Sequence, residues 1–212
     1  MARLVRRLVA VVNTWAAAAM GEMRKRGRSA RIGRRLWLAR YWQATGDLEE
    51  AARHGRPAAR LAHRHPSTPA RLAADAGLTM AYIERDRAEY AGSFDYLGWT
   101  IGVLPRLAPG DHGRVAIRAL TALADINRRV GRYSEAVTAL AQARELAEAT
   151  RPIEPARMAA MMMLEGIVAK ELGDLDRAHR CYASVAGIHQ RDGCMSADAA
   201  ALQHNLAGLA PP

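Results

Sequence analysis

Turn-forming residues followed by helix-forming segments recur along the chain with a long and regular period. Three stretches are alike, at 46–51, 131–136 and 173–178: each has a glycine, a polar helix start and an alanine five positions later. A fourth stretch, 86–91, has the same order with Asp86 in place of glycine, and aspartate also tolerates a left-handed backbone. The four alanines stand at positions 51, 91, 136 and 178. This periodicity predicts a protein built from repeated supersecondary units.

The residues around each turn predict a pair of antiparallel helices. Small residues lie seven positions before every turn residue: Ala39, Thr79, Ala124 and Gly166. Helix breakers close the units: Pro66, Pro105, Pro152 and Gly193. The small residue of the first helix and the alanine of the second let the two helices approach closely. Glycine provides the sharp turn, because it adopts positive φ freely.

Stacking of such hairpins is the expected architecture, because one hairpin cannot bury its apolar face alone. We expect Asp47 and Asp174 to cap the second helices of their units by accepting backbone hydrogen bonds. The helix formers Ala, Leu, Arg, Glu and Met dominate nearly every long segment, and the chain has a single Phe. The sequence therefore predicts an all-α protein.

Three positions depart from the repeat pattern. Four residues after the alanine, where a large side chain is expected, the first copy has Gly55, with Pro57 two residues later. Proline inside a helix removes a hydrogen bond, so we expect that helix to be kinked or broken. The second copy has Asp95 at the same position, which weakens packing, and the fourth copy has Glu165 where leucine is usual.

The first copy also carries a resemblance to a known family. It reads Leu38-Ala39-x-x-Trp42-x-x-x-Gly46-Asp47-Leu48-Glu49-Glu50-Ala51. This pattern resembles the tetratricopeptide repeat (TPR), and the resemblance extends over roughly residues 30 to 208. The period is longer than the standard one of about 34 residues, and it is similar to that of the longer-helix variants in kinesin light chains and bacterial regulators. The resemblance implies a right-handed α-solenoid of antiparallel helix hairpins.

Domain boundaries follow from the same pattern. We predict a basic amphipathic N-terminal helix over residues 1–27 and a TPR-like domain over residues 28–208. The repeats are expected at 28–66, 67–109, 110–152 and 153–193, with a capping helix at 195–208. The N-terminal helix either docks on the first repeat or meets a membrane surface or a partner.

The resemblance also implies where a partner binds. In TPR proteins the first helices line a concave groove that holds partner peptides. The implied lining residues are Leu36, Arg40, Gln43, Met80, Ile83, Glu84, Arg118, Asp125, Arg128, Arg129, Met163, Ile167, Lys170 and, from the capping helix, His204. This lining has an apolar middle and basic flanks, and would suit a segment with acidic and apolar residues.

Positive charge is concentrated at the N-terminal end. Residues 1–40 hold eleven basic side chains and one acid, while the whole chain has a formal net charge of +10. The basic patch consists of Arg24, Lys25, Arg26, Arg28, Arg31, Arg34 and Arg35. Such asymmetry favours an anionic partner such as nucleic acid, an acidic protein surface or a membrane. The alternative is a solvated basic helix face.

Features that would place the chain outside the cytoplasm are weak. Two cysteines, Cys181 and Cys194, form no disulfide framework. No stretch approaches the roughly 18 apolar residues that a membrane span requires. The apolar run from Leu8 to Met20 resembles part of a signal peptide, but Asn13 and Thr14 interrupt it. We expect a cytoplasmic protein of a GC-rich bacterium.

Catalytic and metal-binding motifs are absent from the sequence. The candidate metal cluster is His179, Cys181, His189 and Cys194. His179 and Cys181 are two residues apart on a predicted helix, so they point to different faces and cannot easily share an ion. No phosphate loop or zinc-protease motif occurs. We therefore predict no enzymatic activity, no metal and no cofactor.

The leading hypothesis for function is a scaffold, regulatory factor or assembly factor that binds a protein or peptide in the groove. The alternative is binding of nucleic acid or an anionic surface through the basic N-terminal segment 1–40, since arginine-rich segments neutralise phosphates. Self-association through a terminal helix or the groove is a further alternative.

Overall fold

The computed structural model describes residues 25–150, 154–192, 202 and 205, and these residues form helices without any strand. The helices are α1 (25–44), α2 (Leu48–Arg64), α3 (Ala70–Asp86), α4 (Tyr90–Val103), α5 (Pro109–Arg129), α6 (Tyr133–Ala149), α7 (Pro155–Glu171) and α8 (Leu175–Asp192). A short 3₁₀ helix, Leu104–Arg106, joins α4 to α5, and residues 202 and 205 are helical as well. None of the described helices is both long and apolar enough to cross a bilayer. The predicted all-α class is confirmed.

The helices pair in sequence as four hairpins, α1–α2, α3–α4, α5–α6 and α7–α8. Each hairpin is closed by a three-residue turn, at 45–47, 87–89, 130–132 and 172–174. The first helices of successive hairpins also contact each other, α3 with α5 and α5 with α7. Within the described ranges, the second helices α4, α6 and α8 show no comparable packing with one another. The first helices therefore lie on the inner side of a curved stack.

Four apolar clusters fill the spaces within and between the hairpins. The first joins α1, α2 and α3, the second joins α3, α4 and α5, and the third joins α5, α6 and α7. The fourth contains residues of α7 and α8 together with Leu202. Each hairpin thus completes the core of its neighbour, which is the packing expected of a solenoid.

Close approach of the paired helices depends on small residues at matching positions. Ala39, Ala81 and Ala124 of the first helices are fully buried, and so are the small residues of all four second helices: Ala51, Ser93, Ala136 and Ala178. Gly166 takes this position in α7, where a Cβ atom would lie 2.4 Å from Cε1 of Tyr182. The aromatic ring occupies the space that a side chain at residue 166 would need.

The turns share one conformation. A residue with positive φ stands at the same point in each turn: Gly46 (87°), Ala88 (62°), Gly131 (77°) and Gly173 (82°). In the last three turns the N–H of the next residue donates to the carbonyl five positions back: Glu89 to Glu84 at 2.8 Å, Arg132 to Asn127 at 2.8 Å and Asp174 to Ala169 at 2.9 Å. These bonds satisfy carbonyls that the end of a helix leaves unpaired.

The register of the second copy differs from the sequence prediction. The left-handed residue is Ala88 rather than Asp86, because α3 continues through Asp86. The small residue of α4 is accordingly Ser93, whose buried Oγ donates to the Ala81 carbonyl at 2.6 Å, while Ala91 is exposed. The small residues of the second helices then stand at positions 51, 93, 136 and 178, and their spacing becomes nearly uniform. The prediction failed because alanine, unlike aspartate or glycine, gives no signal of a left-handed residue.

Two expected packing defects are also corrected. The helix α2 runs through Pro57 without interruption, so of the two expected outcomes, a kink or a break, the break does not occur. Gly55 faces α3, and a Cβ atom there would lie 2.4 Å from the Met80 sulfur, so a neighbouring side chain fills the space. With the corrected register, the large position of the second copy is the buried Leu97 rather than Asp95.

The predicted caps and breakers agree with the structure where it describes them. Asp47 accepts a hydrogen bond from the Glu50 N–H at 3.0 Å, and Asp174 accepts one from the Arg177 N–H at 3.0 Å. The helix α2 ends two residues before Pro66, and Pro105 lies in the 3₁₀ helix after α4. Pro152, Gly193 and most of the predicted capping helix lie outside the described residues.

Two buried glutamates connect helices through arginine pairs. Glu84 of α3 accepts hydrogen bonds from Arg56 of α2, at 3.0 Å, and from Arg87, at 2.7 Å. Glu165 of α7 is bound by Arg144 of α6 and by Arg177 of α8, the latter at 2.8 Å. The hydrogen bond to Glu165 raises the pKa of Arg177, although desolvation opposes the shift. The predicted departure at Glu165 is therefore an ion-paired link between two hairpins.

The corrected register can be tested by exchanging alanine and glycine at the turns. Ala88→Gly should stabilise the protein by about 1 kcal/mol, because glycine carries no Cβ penalty at positive φ. Gly131→Ala should destabilise it by about 1 kcal/mol for the same reason, since no atom lies within 4 Å of a Cβ there. Urea unfolding followed by circular dichroism measures both changes.

The matched control is Gly98→Ala. Gly98 lies on the exposed side of α4, with right-handed backbone and nothing within 4 Å of a Cβ. Alanine should stabilise the protein there by up to about 1 kcal/mol through helix propensity. A loss of stability on Ala88→Gly would place residue 88 inside a right-handed helix and contradict the register.

The ion pairs of Glu165 predict that removing the two arginines lowers the stability more than removing the carboxylate. Replacing both Arg144 and Arg177 with Met leaves a buried carboxylate without partners and should destabilise by about 3–5 kcal/mol. Glu165→Leu should cost much less, because the two arginine side chains are 45% and 43% exposed and stay hydrated. The triple variant Arg144→Met/Arg177→Met/Glu165→Leu should recover most of the stability that the double variant loses. Equal destabilisation by the double variant and by Glu165→Leu, measured by urea unfolding, would refute this account.

Candidate partner-binding groove

The inner surface of the stack is formed by α1, α3, α5 and α7. Predicted groove residues of the first, third and fourth copies are at least partly exposed: Arg40, Gln43, Arg118, Asp125, Arg128, Arg129, Met163, Ile167 and Lys170. Leu36 is an exception, since it is buried in the first apolar cluster. His204 lies outside the described residues.

The groove residues expected from the second copy are corrected by the register shift. Met80 and Ile83 are buried in the cluster that joins α1, α2 and α3, Glu84 is buried as well, and these residues do not line the groove. Counting from Ala88, the equivalent positions are Tyr82, Arg85 and Asp86. Tyr82 and Arg85 line the same pocket as Asp125, Arg128 and Met163. The groove positions of the second copy were assigned two residues too early because the turn was placed at Asp86.

A row of polar pairs runs across the inner surface from one first helix to the next. Gln43 of α1 donates to Asp86 of α3 at 2.7 Å, and Arg128 of α5 donates to Glu171 of α7 at 2.8 Å. In both pairs the donor lies three residues before the positive-φ residue of its own hairpin. The acceptor lies two residues before the positive-φ residue of the following hairpin. The same positions are therefore used twice along the stack.

The interface between α3 and α5 is held by a different set of ion pairs. Arg129 occupies the acceptor position in α5, so Arg85 of α3 has no carboxylate at that place. Arg85 instead pairs with Asp125 at 3.2 Å and with its neighbour Asp86 at 2.8 Å. Asp125 also accepts from Arg128 at 3.0 Å and from Arg129 at 3.2 Å, and its side chain is only 13% exposed. This carboxylate therefore organises three arginines at the centre of the groove.

A second, shorter row lies beside the first. Arg40 of α1 and Arg118 of α5 both approach Oδ1 of Asp75 in α3 at 3.4 Å. Arg40 also donates to the Thr79 hydroxyl at 3.1 Å. The two rows fix the relative positions of the first helices and give the inner surface its charge pattern.

A pocket of about 400 Å³ opens between α3, α5, α7 and α8. Its apolar lining consists of Ala122, Ala159, Ala160, Met163, Leu164, Ile167 and Val185. Its polar lining consists of Arg85, Thr121, Asp125, Arg128, Arg129 and His189, and Arg85 lies 5.2 Å from the centre of the Tyr82 ring. This arrangement can take an apolar side chain while the arginines donate hydrogen bonds to a neighbouring acceptor.

Groups that could support chemistry are poorly placed for it. Burial raises the pKa of the Cys181 thiol, so it stays protonated and is a poor nucleophile. Burial likewise raises the pKa of Tyr182 to about 12. Within the described part of the chain, no three His, Cys, Asp or Glu side chains form a group that could hold a metal ion. His179 is exposed while Cys181 is buried, and Cys194 lies outside the described residues.

Several groove residues were missed from the sequence. Asp75, Tyr82, Arg85, Asp86 and Glu171 all take part in the inner surface. For the four residues of α3, the signal that could have found them is the near-uniform repeat spacing, which places Ser93 rather than Ala91 in line with the other small residues. Glu171 could have been found from its equivalence with Arg129, since each lies two residues before its turn glycine.

Similarity to known proteins is found in structure rather than in sequence. No protein-family model matches the sequence, and no curated protein is significantly similar to it. Among solved structures, the crystal structure of BtubC (BKLC) from P. vanneervenii is 19% identical. The alignment covers 92% of this chain and 77% of that chain, with a TM-score of 0.72.

A putative kinesin light chain from Podosopora anserina, with nearly identical TPR-like repeats, is also similar. Its structure is 19% identical, with 85% of this chain and 86% of that chain covered and a TM-score of 0.61. A point variant of that protein gives 18% identity, 85% coverage of both chains and a TM-score of 0.64. At these identities the likeness concerns the fold. The predicted resemblance is confirmed at that level: the chain folds as a solenoid of TPR-like helical repeats.

Proposed function

We propose that this protein is an interaction scaffold that binds a peptide segment of a partner protein in the inner groove. The observation that carries the proposal is the pocket of about 400 Å³, in which an apolar surface adjoins the arginines around Asp125. Helical-repeat solenoids present extended concave surfaces of this kind to their partners. The ordered arginines are held in place before binding, which lowers the entropy cost of forming the complex.

The chemistry of the partner follows from the lining. An apolar side chain fits the part of the pocket formed by Met163, Leu164 and Ile167. The cations of the inner surface are Arg40, Arg85, Arg118, Arg128, Arg129 and Lys170, and its carboxylates are Asp75, Asp86, Asp125 and Glu171. Since cations are in excess, acidic residues should flank the apolar residue of the peptide.

The test uses an exposed alanine of the pocket. A peptide library displayed on phage is selected against the full chain, and enriched peptides are measured by isothermal titration calorimetry. Ala160→Trp fills the pocket from its rim and should lower their affinity at least about tenfold, because it removes the space for the apolar side chain. The enriched peptides should share an apolar residue with acidic neighbours.

The matched control is Ala141→Trp, because Ala141 is also an exposed alanine and lies on α6, outside the groove. This variant should bind the selected peptides as the wild type does, and both variants should keep the wild-type circular dichroism spectrum. Peptides that bind the Ala160→Trp variant with unchanged affinity would overturn the proposed site. An enriched set without apolar residues would overturn the proposed chemistry.

A further inference from the structure

The helix α1 carries the densest positive charge in the described part of the chain. Its residues 25–44 include seven basic side chains and no carboxylate: Lys25, Arg26, Arg28, Arg31, Arg34, Arg35 and Arg40. On the inner surface, by contrast, arginines are paired with carboxylates, and Arg85 and Arg128 both contact Asp125. Among the residues that the structure describes, Arg31, Arg34 and Arg35 make no ion pair with a carboxylate. Their charge therefore acts outward.

Two exposed aromatic side chains lie beside this charge. Trp37 is 64% exposed and Tyr41 is 49% exposed, whereas the other aromatic side chains in the described part of the chain are at least partly buried. Their rings are stacked, with centroids 5.9 Å apart and an interplanar angle of 16°. Trp42 contacts Tyr41 edge-on at 5.3 Å and is itself packed against the first apolar cluster. The stacked pair is thus held in place by Trp42, while both of its side chains remain exposed to solvent.

The charged and aromatic residues share one face of α1. Arg34, Trp37 and Tyr41 are spaced by three and four residues, so they form a stripe along the helix. Arg28 and Gln43, which bond to Ser67 and Asp86, lie on the opposite side of the helix, toward the next hairpin. Within the described residues, the stripe therefore lies at the α1 end of the stack, away from the inner groove.

We propose that this face of α1 binds single-stranded nucleic acid. Arg31 and Arg34 meet backbone phosphates, while unpaired bases stack on Trp37 and Tyr41. Nucleic-acid strands are recognised in this way, by a basic track with aromatic side chains on which bases stack without sequence preference. The function is separate from peptide binding in the groove and does not rest on it.

Two other anionic partners fit the face less well. Bases of a duplex are already stacked on each other, so Trp37 and Tyr41 would contribute little to binding it. A helix that lies in a membrane surface needs a broad face of aliphatic residues. The aliphatic residues of α1 are instead used in the protein core, since Ile32, Leu36 and Ala39 are buried against α2 and α3.

The test is fluorescence anisotropy with labelled single-stranded DNA and RNA, the corresponding duplexes, and anionic phospholipid vesicles in a sedimentation assay. The full chain should bind the single strands at least about tenfold more tightly than the duplexes. Trp37→Ala/Tyr41→Ala should weaken single-strand binding about tenfold or more and leave duplex binding unchanged. Arg31→Glu/Arg34→Glu should weaken both and reduce the steepness of the salt dependence, by about 0.7 in log K per log salt for each phosphate that is no longer neutralised.

Matched controls are available on exposed positions elsewhere. Arg114→Glu/Arg180→Glu makes the same change in net charge on α5 and α8, and Ile101→Ala removes an exposed apolar side chain from α4. Both should bind like the wild type, and circular dichroism should show that every variant is folded. Equal affinity for single strands and duplexes, or unchanged binding by Trp37→Ala/Tyr41→Ala, would overturn the proposal. Binding to vesicles alone would overturn it in favour of a membrane surface.

Discussion

The close approach of two helices at a pair of small residues is the constraint on which this structure depends. Ala39, Ala81, Ala124 and Gly166 leave room for the facing helix in each hairpin. The three-residue turn with its left-handed residue then fixes the distance between the helix ends. Because every hairpin has nearly the same shape, successive hairpins can stack with the same offset, and a continuous inner surface results. Larger residues at these points would separate the helices and change the curvature of the groove.

Polar groups determine much of the relative position of the hairpins, which the small apolar residues specify only weakly. Alanine recurs at the helix contacts of every repeat, so these contacts distinguish one hairpin from another only weakly. Glu84 and Glu165 add directional contacts inside the stack, and the rows through Asp75 and Asp125 add others on the inner surface. The residues that align the first helices are therefore also those that a partner meets in the groove. Alignment and recognition are coupled because they use the same side chains.

The sequence predicted the fold well because the features that define it are local. Glycine at a turn, aspartate at a helix start and a small residue at a fixed distance can be recognised without knowing the neighbouring hairpin. The second copy shows the limit of that reasoning, since Ala88 adopts a conformation that its side chain does not favour. A single misplaced turn moved every residue of α3 by two positions, and so three buried residues were assigned to the groove.

The site was less predictable for a different reason. A pocket that is shared by four helices depends on distances between hairpins, which no local pattern encodes. The pairing of Arg128 with Glu171 joins residues 43 positions apart, and the buried state of Glu165 depends on arginines from two other helices. Trp37 and Tyr41 could be recognised as exposed only from the structure, because it shows that α1 packs its aliphatic side, and not this aromatic side, against the core.

The row of polar pairs on the inner surface also carries information about hairpin order. In the native chain two interfaces place a donor opposite an acceptor, Gln43 opposite Asp86 and Arg128 opposite Glu171, whereas Arg85 pairs with Asp125 instead. If the third hairpin stacked on the third hairpin of a second molecule, Arg128 would lose its bond to Glu171 and face Arg129 instead. Alanine-rich faces alone would accept that arrangement. The pair of Arg128 with Glu171 therefore favours the native order over this mispairing during folding and over chain exchange between molecules.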